Sequence, residues 1–201
     1  MKRRTTVLAA ALSLLPLGQP LLMGSATALV TAEVVLSTQA AHAQSADDYV
    51  DAGIEKGISG DTQGAITDFT KAIEIDPQDN PTRLFVAYYN RGNAKGLLKD
   101  YHGSIIDFNK AIEINPEDAT TYYSRGLAKR RLGDNRGAIL DYNKAIAINP
   151  EYANAYSNRG VAKMLLGDQR GMCLDFKKSS SLGNKNALNA LVKLKSTGVC
   201  Q

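Results

Sequence analysis

Tryptophan is absent from the 201 residues, and histidine and cysteine occur only twice each. His42 falls in an N-terminal stretch that reads as removable, which leaves His102 with Cys173 and Cys200. These three cannot furnish a usual zinc site without carboxylate help. The two cysteines are not in a C-x-x-C arrangement, so a thiol-redox centre rests on nothing more than their presence. Excess charge of one sign is missing too. The chain has 24 Lys+Arg against 20 Asp+Glu; without Lys2, Arg3, Arg4 and Glu33 of the first 43 residues, the balance is 21 to 19. A nucleic-acid binder needs a clear basic excess to neutralise phosphates, so that class is disfavoured. No glycine-rich phosphate loop is present, because the glycines recur at a regular spacing. His102, expected in a turn, has no nucleophile at an informative distance along the chain. Paired acids such as Asp47-Asp48 fit the preference of carboxylates for helix starts. The expectation is therefore a protein that is not an enzyme and takes no cofactor or metal.

What is there begins with an address. Met1-Lys2-Arg3-Arg4 is a positive start, and Thr5 to Leu15 is apolar and uncharged, the two leading parts of an export signal. Small-residue cleavage patterns follow at Ala26-Thr27-Ala28 and Ala41-His42-Ala43. Cleavage after Ala43 is preferred, because Gln44-Ser45 makes a better mature start than the apolar Leu29-Val30. Arg3-Arg4 with Thr5-Thr6-Val7 is only a partial twin-arginine signal, which favours the general secretory route. Retention as a membrane anchor is the alternative. Pro16, Gly18, Gln19 and Pro20 interrupt residues 5–32, whereas a clean span needs about 20 apolar residues.

From residue 46 onward the chain repeats itself every 34 residues, in segments 46–79, 85–118, 119–152 and 153–186. The fourth position is aromatic: Tyr49, Tyr88, Tyr122, Tyr156. The eighth is glycine: Gly53, Gly92, Gly126, Gly160. The twenty-fourth is aromatic: Phe69, Phe108, Tyr142, Phe176. Pro77, Pro116 and Pro150 stand at position thirty-two. Asp61, Asp100, Asp134 and Asp168 precede an apolar-periodic run and suit the N-cap of a second helix. Gly60, Gly133 and Gly167 before them suit a left-handed end to the first helix; Lys99 in the second repeat should strain that turn. Ala65, Ile66, Phe69, Ala72 and Ile73 give the second helix one apolar face, and proline ends it. Glycine at eight is expected opposite small alanines, letting paired helices approach. Asn80-Pro81 reads as an early start for the second repeat's first helix. Ala187, Leu188, Leu191, Val192 and Leu194 mark a short amphipathic helix after the last repeat.

These residues resemble the tetratricopeptide repeat over 46–186, about 70% of the chain. The resemblance implies an all-α fold, a right-handed solenoid of four helix-turn-helix units, with residues 187–201 as a capping helix and tail. Nine helices and no sheet are expected. There are departures: Ala52, Arg91, Arg125 and Arg159 replace the usual Leu at seven, and Lys56, Lys95, Lys129 and Lys163 the Tyr at eleven. Met172, Ser179 and Asn184 mark a decayed fourth copy, suited to an end. The family's concave positions, carried onto this chain, select Tyr89, Asn90, Asn93 and Leu97, then Thr120, Tyr123, Leu127, Arg130 and Arg131, then Asn154, Asn158, Val161 and Met164. Asn can bond a peptide backbone as donor and acceptor. Arg130 and Arg131 could hold a carboxylate, or simply favour a helix C-terminus. The tyrosines at position five could face the groove or pack on their own repeat. One subset of the family grips a C-terminal carboxylate with Lys and Asn at these positions. The asparagines are partly here and the lysines are not, so that ligand is not assigned.

Asp68, Asp107, Asp141 and Asp175 at position twenty-three are expected to pair with Arg at seven, through partly exposed contacts contributing about 0–1 kcal/mol each. Asp68, whose own repeat has Ala52, should turn to Arg91. Cys173 and Cys200 should form a disulfide in an oxidising compartment, the alternative being a small buried residue and a free tail thiol.

The functional expectation is an exported adaptor or assembly factor that binds a protein or extended peptide, in a periplasm or a thylakoid lumen. The alternatives are a self-associating scaffold and, least favoured, a thiol-redox protein. N-terminal sequencing of the protein from its native compartment should begin at Gln44. A start at Leu29 would identify the earlier site, and an intact Met1 would make the segment an anchor.

Overall fold

The computed structural model describes residues 45–75 and 80–200. The expected export signal, its cleavage sites and Pro77 lie outside these residues. The described residues form nine helices and no strand: α1 (Ala46–Ser59), α2 (Thr62–Ile75), α3 (Pro81–Leu97), α4 (Tyr101–Ile114), α5 (Ala119–Arg131), α6 (Asn135–Ile148), α7 (Ala153–Leu165), α8 (Gln169–Ser181) and α9 (Lys185–Ser196). Each repeat is an antiparallel pair, α1/α2 through α7/α8, and α9 packs on α8. Successive first helices (α1, α3, α5, α7) approach one another more closely than successive second helices do. The array therefore curves with its first helices on the inner side.

Local chemistry sets these boundaries. Asp61, Asp100, Asp134 and Asp168 accept the backbone N–H three residues on, at 2.8–2.9 Å. Gly60, Gly133 and Gly167 take left-handed φ of 89°, 84° and 81°. Lys99 takes φ 66° in the same turn and is the non-glycine residue with positive φ among those described. Gly183 at φ 89° repeats the device between α8 and α9. Asn80 caps α3 with Pro81 at its start, so this helix gains an early turn. Asn115 and Asn149, before Pro116 and Pro150, are extended and end α4 and α6. His102 lies within α4 rather than in a turn, because Asp100 is the N-cap and the helix begins at Tyr101.

Inside each pair, glycine at eight faces the aromatic at twenty-four, not the alanines. A Cβ on Gly126 would stand 2.7 Å from the Tyr142 ring, and one on Gly53 would stand 2.7 Å from Phe69. The ring fills the space, and the buried alanines line its surroundings. The two serines that replace alanine are buried but satisfied: Ser104 Oγ donates to Gly92 O, and Ser179 Oγ donates to Ala153 O, each at 2.7 Å.

The strongest polar feature recurs three times. Arg91, Arg125 and Arg159 each grip the carboxylate of Asp107, Asp141 or Asp175 through Nε and Nη2, at 2.6–3.0 Å. Lys95, Lys129 and Lys163 reach the same carboxylates at 2.7–2.8 Å. The remaining arginine nitrogen, Nη1, reaches back to the preceding repeat and donates to Thr70, Asn109 or Asn143. Each guanidinium also lies 5.3–5.5 Å from the ring of Tyr88, Tyr122 or Tyr156. The three aspartates are buried rather than partly exposed. Asp68 departs from expectation: Lys56 pairs with it at 2.6 Å, because Nη1 of Arg91 goes to Thr70 instead.

At the tail, Ala187 and Leu191 of α9 bury against Met172 and Phe176, with Val161 alongside. Cys173 and Cys200 are bonded, their Cα atoms 5.6 Å apart. The chain-entropy model assigns a loop of this length about 3–4 kcal/mol. Replacing Asp141 with Ala would strand Arg125 and Lys129 around a buried gap, and should cost about 3–5 kcal/mol in urea denaturation. Asp47→Ala, at an exposed pair with Arg83, should cost no more than about 1 kcal/mol. Equal losses at the two sites would remove the buried tie from its structural role.

Candidate binding groove

Helices α1, α3, α5 and α7 line the inner face, and the residues selected from the sequence lie on the last three of these. The two tyrosines at position five do both things left open. Tyr89 stacks on Phe85 and tilts against Phe108, at 6.0 Å each. Tyr123 packs on Tyr142 at 5.9 Å and Tyr152 at 4.9 Å. Both rings stay half-buried, and Tyr123 Oη accepts from Asn158 Nδ2 at 3.0 Å. Asn90 and Asn93 are half-buried; Asn90 Nδ2 donates to Val86 O of its own helix. Leu97 is 75% exposed.

Other selected residues belong more to the framework than to a ligand surface. Leu127 packs into the cluster around Tyr142, and Val161 into the cluster under α9. Asn154 accepts from Asn184 Nδ2 at 2.8 Å and is tied to the last turn. The Thr120 hydroxyl donates to Asp118, the cap of α5. Arg131 and Met164 are exposed.

Between the first two repeats the inner face opens into a hollow of about 220 Å³. Phe69 and Ala65 line it from α2, Ile54 and Ile58 from α1, and Asn90, Asn93 and Leu97 from α3. Position twelve is why it is open. Gly57 stands there in the first repeat, and a Cβ added to it would meet nothing within 4 Å. Ile58 at the hollow is 83% exposed. The first repeat's share of this site was missed by the sequence reading. The signal existed, since Ile54 and Ile58 hold positions nine and thirteen.

In the third repeat the same position holds Arg130, and the aromatic at twenty-four is Tyr142 instead of phenylalanine. Burial pushes the Tyr142 hydroxyl up to about 12, and the Arg130 guanidinium beside it pulls the other way. Tyr142 Oη and Arg130 Nε are both buried. Burial also raises Tyr123 and Tyr152. The groove thus runs from an open apolar end to an aromatic end carrying Arg130 and Arg131. Among the described residues, no cluster of His, Cys, Asp and Glu could hold a metal ion.

Comparison with known proteins agrees with the repeat fold. Tetratricopeptide-repeat family models match residues 49–79, 85–118 and 128–167, together just over half of the chain. No curated protein sequence matches. The crystal structure of MamA is similar at 26% identity, covering 80% of this chain and 89% of that one, with a TM-score of 0.66. The first TPR of Spaghetti (RPAP3), bound to the HSP90 peptide SRMEEVD, is similar at 27% identity, covering 56% and 91%, with a TM-score of 0.53. The second TPR domain of human RPAP3, in complex with the HSP70 peptide SGPTIEEVD, is similar at 26% identity, covering 58% and 98%, with a TM-score of 0.54.

The raised Tyr142 value has a signed consequence. In the unfolded chain this tyrosine ionises near 10, and in the folded chain only near 12. Its stabilising share is whole below about pH 10 and is lost as pH rises through about 12. Tyr142→Phe, the residue used by the other three repeats, should flatten that alkaline loss and leave neutral-pH stability within about 1 kcal/mol. Denaturant midpoints at pH 7 and at alkaline pH measure both.

Proposed function

Because the chain belongs to the tetratricopeptide repeat family, we infer that it is a protein-interaction adaptor or assembly factor whose concave groove holds an extended protein segment. The observation that carries this is the open hollow between repeats 1 and 2, apolar within and edged by Asn90 and Asn93. An apolar side chain entering it leaves water against Ile54, Ile58 and Phe69, which is worth about 1.5–3 kcal/mol for a Leu- or Phe-sized group. The asparagine amides bond the backbone on either side of that anchor. Farther along, Arg130 and Arg131 favour a carboxylate. The preferred ligand is therefore an extended segment with one large apolar residue and an acidic residue some way along it. Two neighbours of similar fold are solved with bound peptides, which supports a peptide as the ligand class.

The site holds and orients; no catalytic step is assigned to it. Export is part of the proposal. The first forty-three residues read as a signal, and a disulfide between Cys173 and Cys200 fits an oxidising compartment such as a periplasm or thylakoid lumen.

Selection from a library of extended peptides, followed by calorimetry, tests the reading. The selected peptides should share an apolar anchor and an acidic residue. Gly57→Leu should fill the hollow and weaken binding about tenfold or more without lowering the melting temperature, because a Cβ there has open space and leucine favours the helix over glycine. Asn93→Ala combined with Arg130→Ala should weaken binding similarly. Affinity that ignores all of these changes would place the ligand outside the groove.

A further inference from the structure

The array is electrically polarised along its length. Residues 45–75 carry seven acidic side chains and two basic ones, and residues 169–200 carry one acidic and six basic. Burial sharpens the contrast. At the head, Lys56 neutralises the one buried acid, Asp68, and the other six acids are exposed. Arg83 spans Asp47 and Asp51 at 3.1 and 3.0 Å, which leaves Asp48, Glu55, Asp61 and Glu74 as the rest of the negative surface. At the tail, the single acid, Asp175, is buried between Arg159 and Lys163, and all six bases are exposed.

The capping helix adds an apolar element. Leu188 and Val192, one turn apart on α9, are 47% and 60% exposed, while Ala187 and Leu191 face the core. Lys185 and Lys195 continue the same stripe at helical spacing, so two exposed apolar groups lie between two cations. Among the described residues, nothing covers Leu188 and Val192.

We propose that the chain associates head to tail, the α9 stripe and basic tail of one copy docking on the acidic head of the next. The charge complementarity names the occupant, because the surface opposite in sign to the tail is the chain's own first repeat. Such a contact joins two different surfaces and need not close, so it generates open-ended strings rather than a fixed dimer. The junction differs from those inside the array. The first repeat has Ala52 where the others have the reaching arginine, and the last has Lys177 where the others have Thr70, Asn109 or Asn143 to receive it. The internal tie therefore stops at both ends, and the junction rests on long-range charge and the Leu188–Val192 contact. This surface is distinct from the groove, so either proposal can fail alone.

Sedimentation of the full chain over a range of concentrations tests it. The average mass should rise with concentration at about 0.01 M salt, where charges act over about 30 Å, and return toward 21.6 kDa near 1 M, where they act over about 3 Å. A tail-altered chain (Lys185→Glu, Lys193→Glu, Lys195→Glu) and a head-altered chain (Glu55→Lys, Glu74→Lys) should each stay monomeric alone, because the altered end then carries nearly balanced charge, four acids to three bases at the tail and five acids to four bases at the head. Mixing the two should restore association. All five positions are exposed, and circular dichroism checks that both variants fold. Leu188→Ser with Val192→Ser should weaken the native association about tenfold. A wild-type chain that stays monomeric at low salt, association insensitive to salt, association by either altered chain alone, or a mixture that stays monomeric would each overturn the proposal.

Discussion

A buried aspartate held by two cations is the constraint on which the array depends. Asp107, Asp141 and Asp175 sit where a carboxylate is costly unless it is paired and hydrogen-bonded, and each receives an arginine fork and a lysine. The arginine ties three elements together: its own helix, its partner helix and the second helix of the preceding repeat. Much of the remaining stacking along the array is contact between apolar surfaces, which tolerates sliding. A bidentate pair with a third, oppositely directed hydrogen bond does not. The register of each repeat on the last, and so the alignment of the inner face, follows from it.

The same economy shapes the inner face. Tyr89 and Tyr123 pack against the aromatic at position twenty-four while keeping an edge toward the groove. The glycine at eight accepts that aromatic ring directly, which lets the two helices of each repeat approach closely. Position twelve varies most in size and charge, from Gly57, which leaves a hollow, to Arg130, which lies beside the Tyr142 hydroxyl. One position therefore changes the groove from apolar to cationic without disturbing the frame.

Most of the frame was legible from spacing. The Asp caps, the left-handed glycines, the strained Lys99 and the in-repeat Arg–Asp pairs are local, and local geometry follows from residue type and offset. The backward reach of Nη1 was not legible, because it depends on how far one repeat is rotated on the previous one. Asp68 was assigned to Arg91 for that reason, when Thr70 stood nearer. The burial of the pairs was also missed, since charge at a regular offset looks alike on a wet face and a dry one. The hollow was hard to see because an absent side chain makes it. A list of candidate ligand-binding residues names what is present, and Gly57 contributes by having nothing there.

The disulfide and the missing arginine at Ala52 give the two ends of the stack unequal grips. In a linear array that melts from its ends, the tail is stapled, while the head is held by its apolar contacts, one lysine–aspartate pair, the Arg91–Thr70 hydrogen bond and the Arg83 bridges. Unravelling therefore has a direction: it enters at the first repeat and travels toward the staple. The hollow lies across the first seam to part, and a segment seated there touches both sides of it. Under the proposed function, occupancy closes that seam, so a bound segment would act as a lock on the loose end as well as cargo.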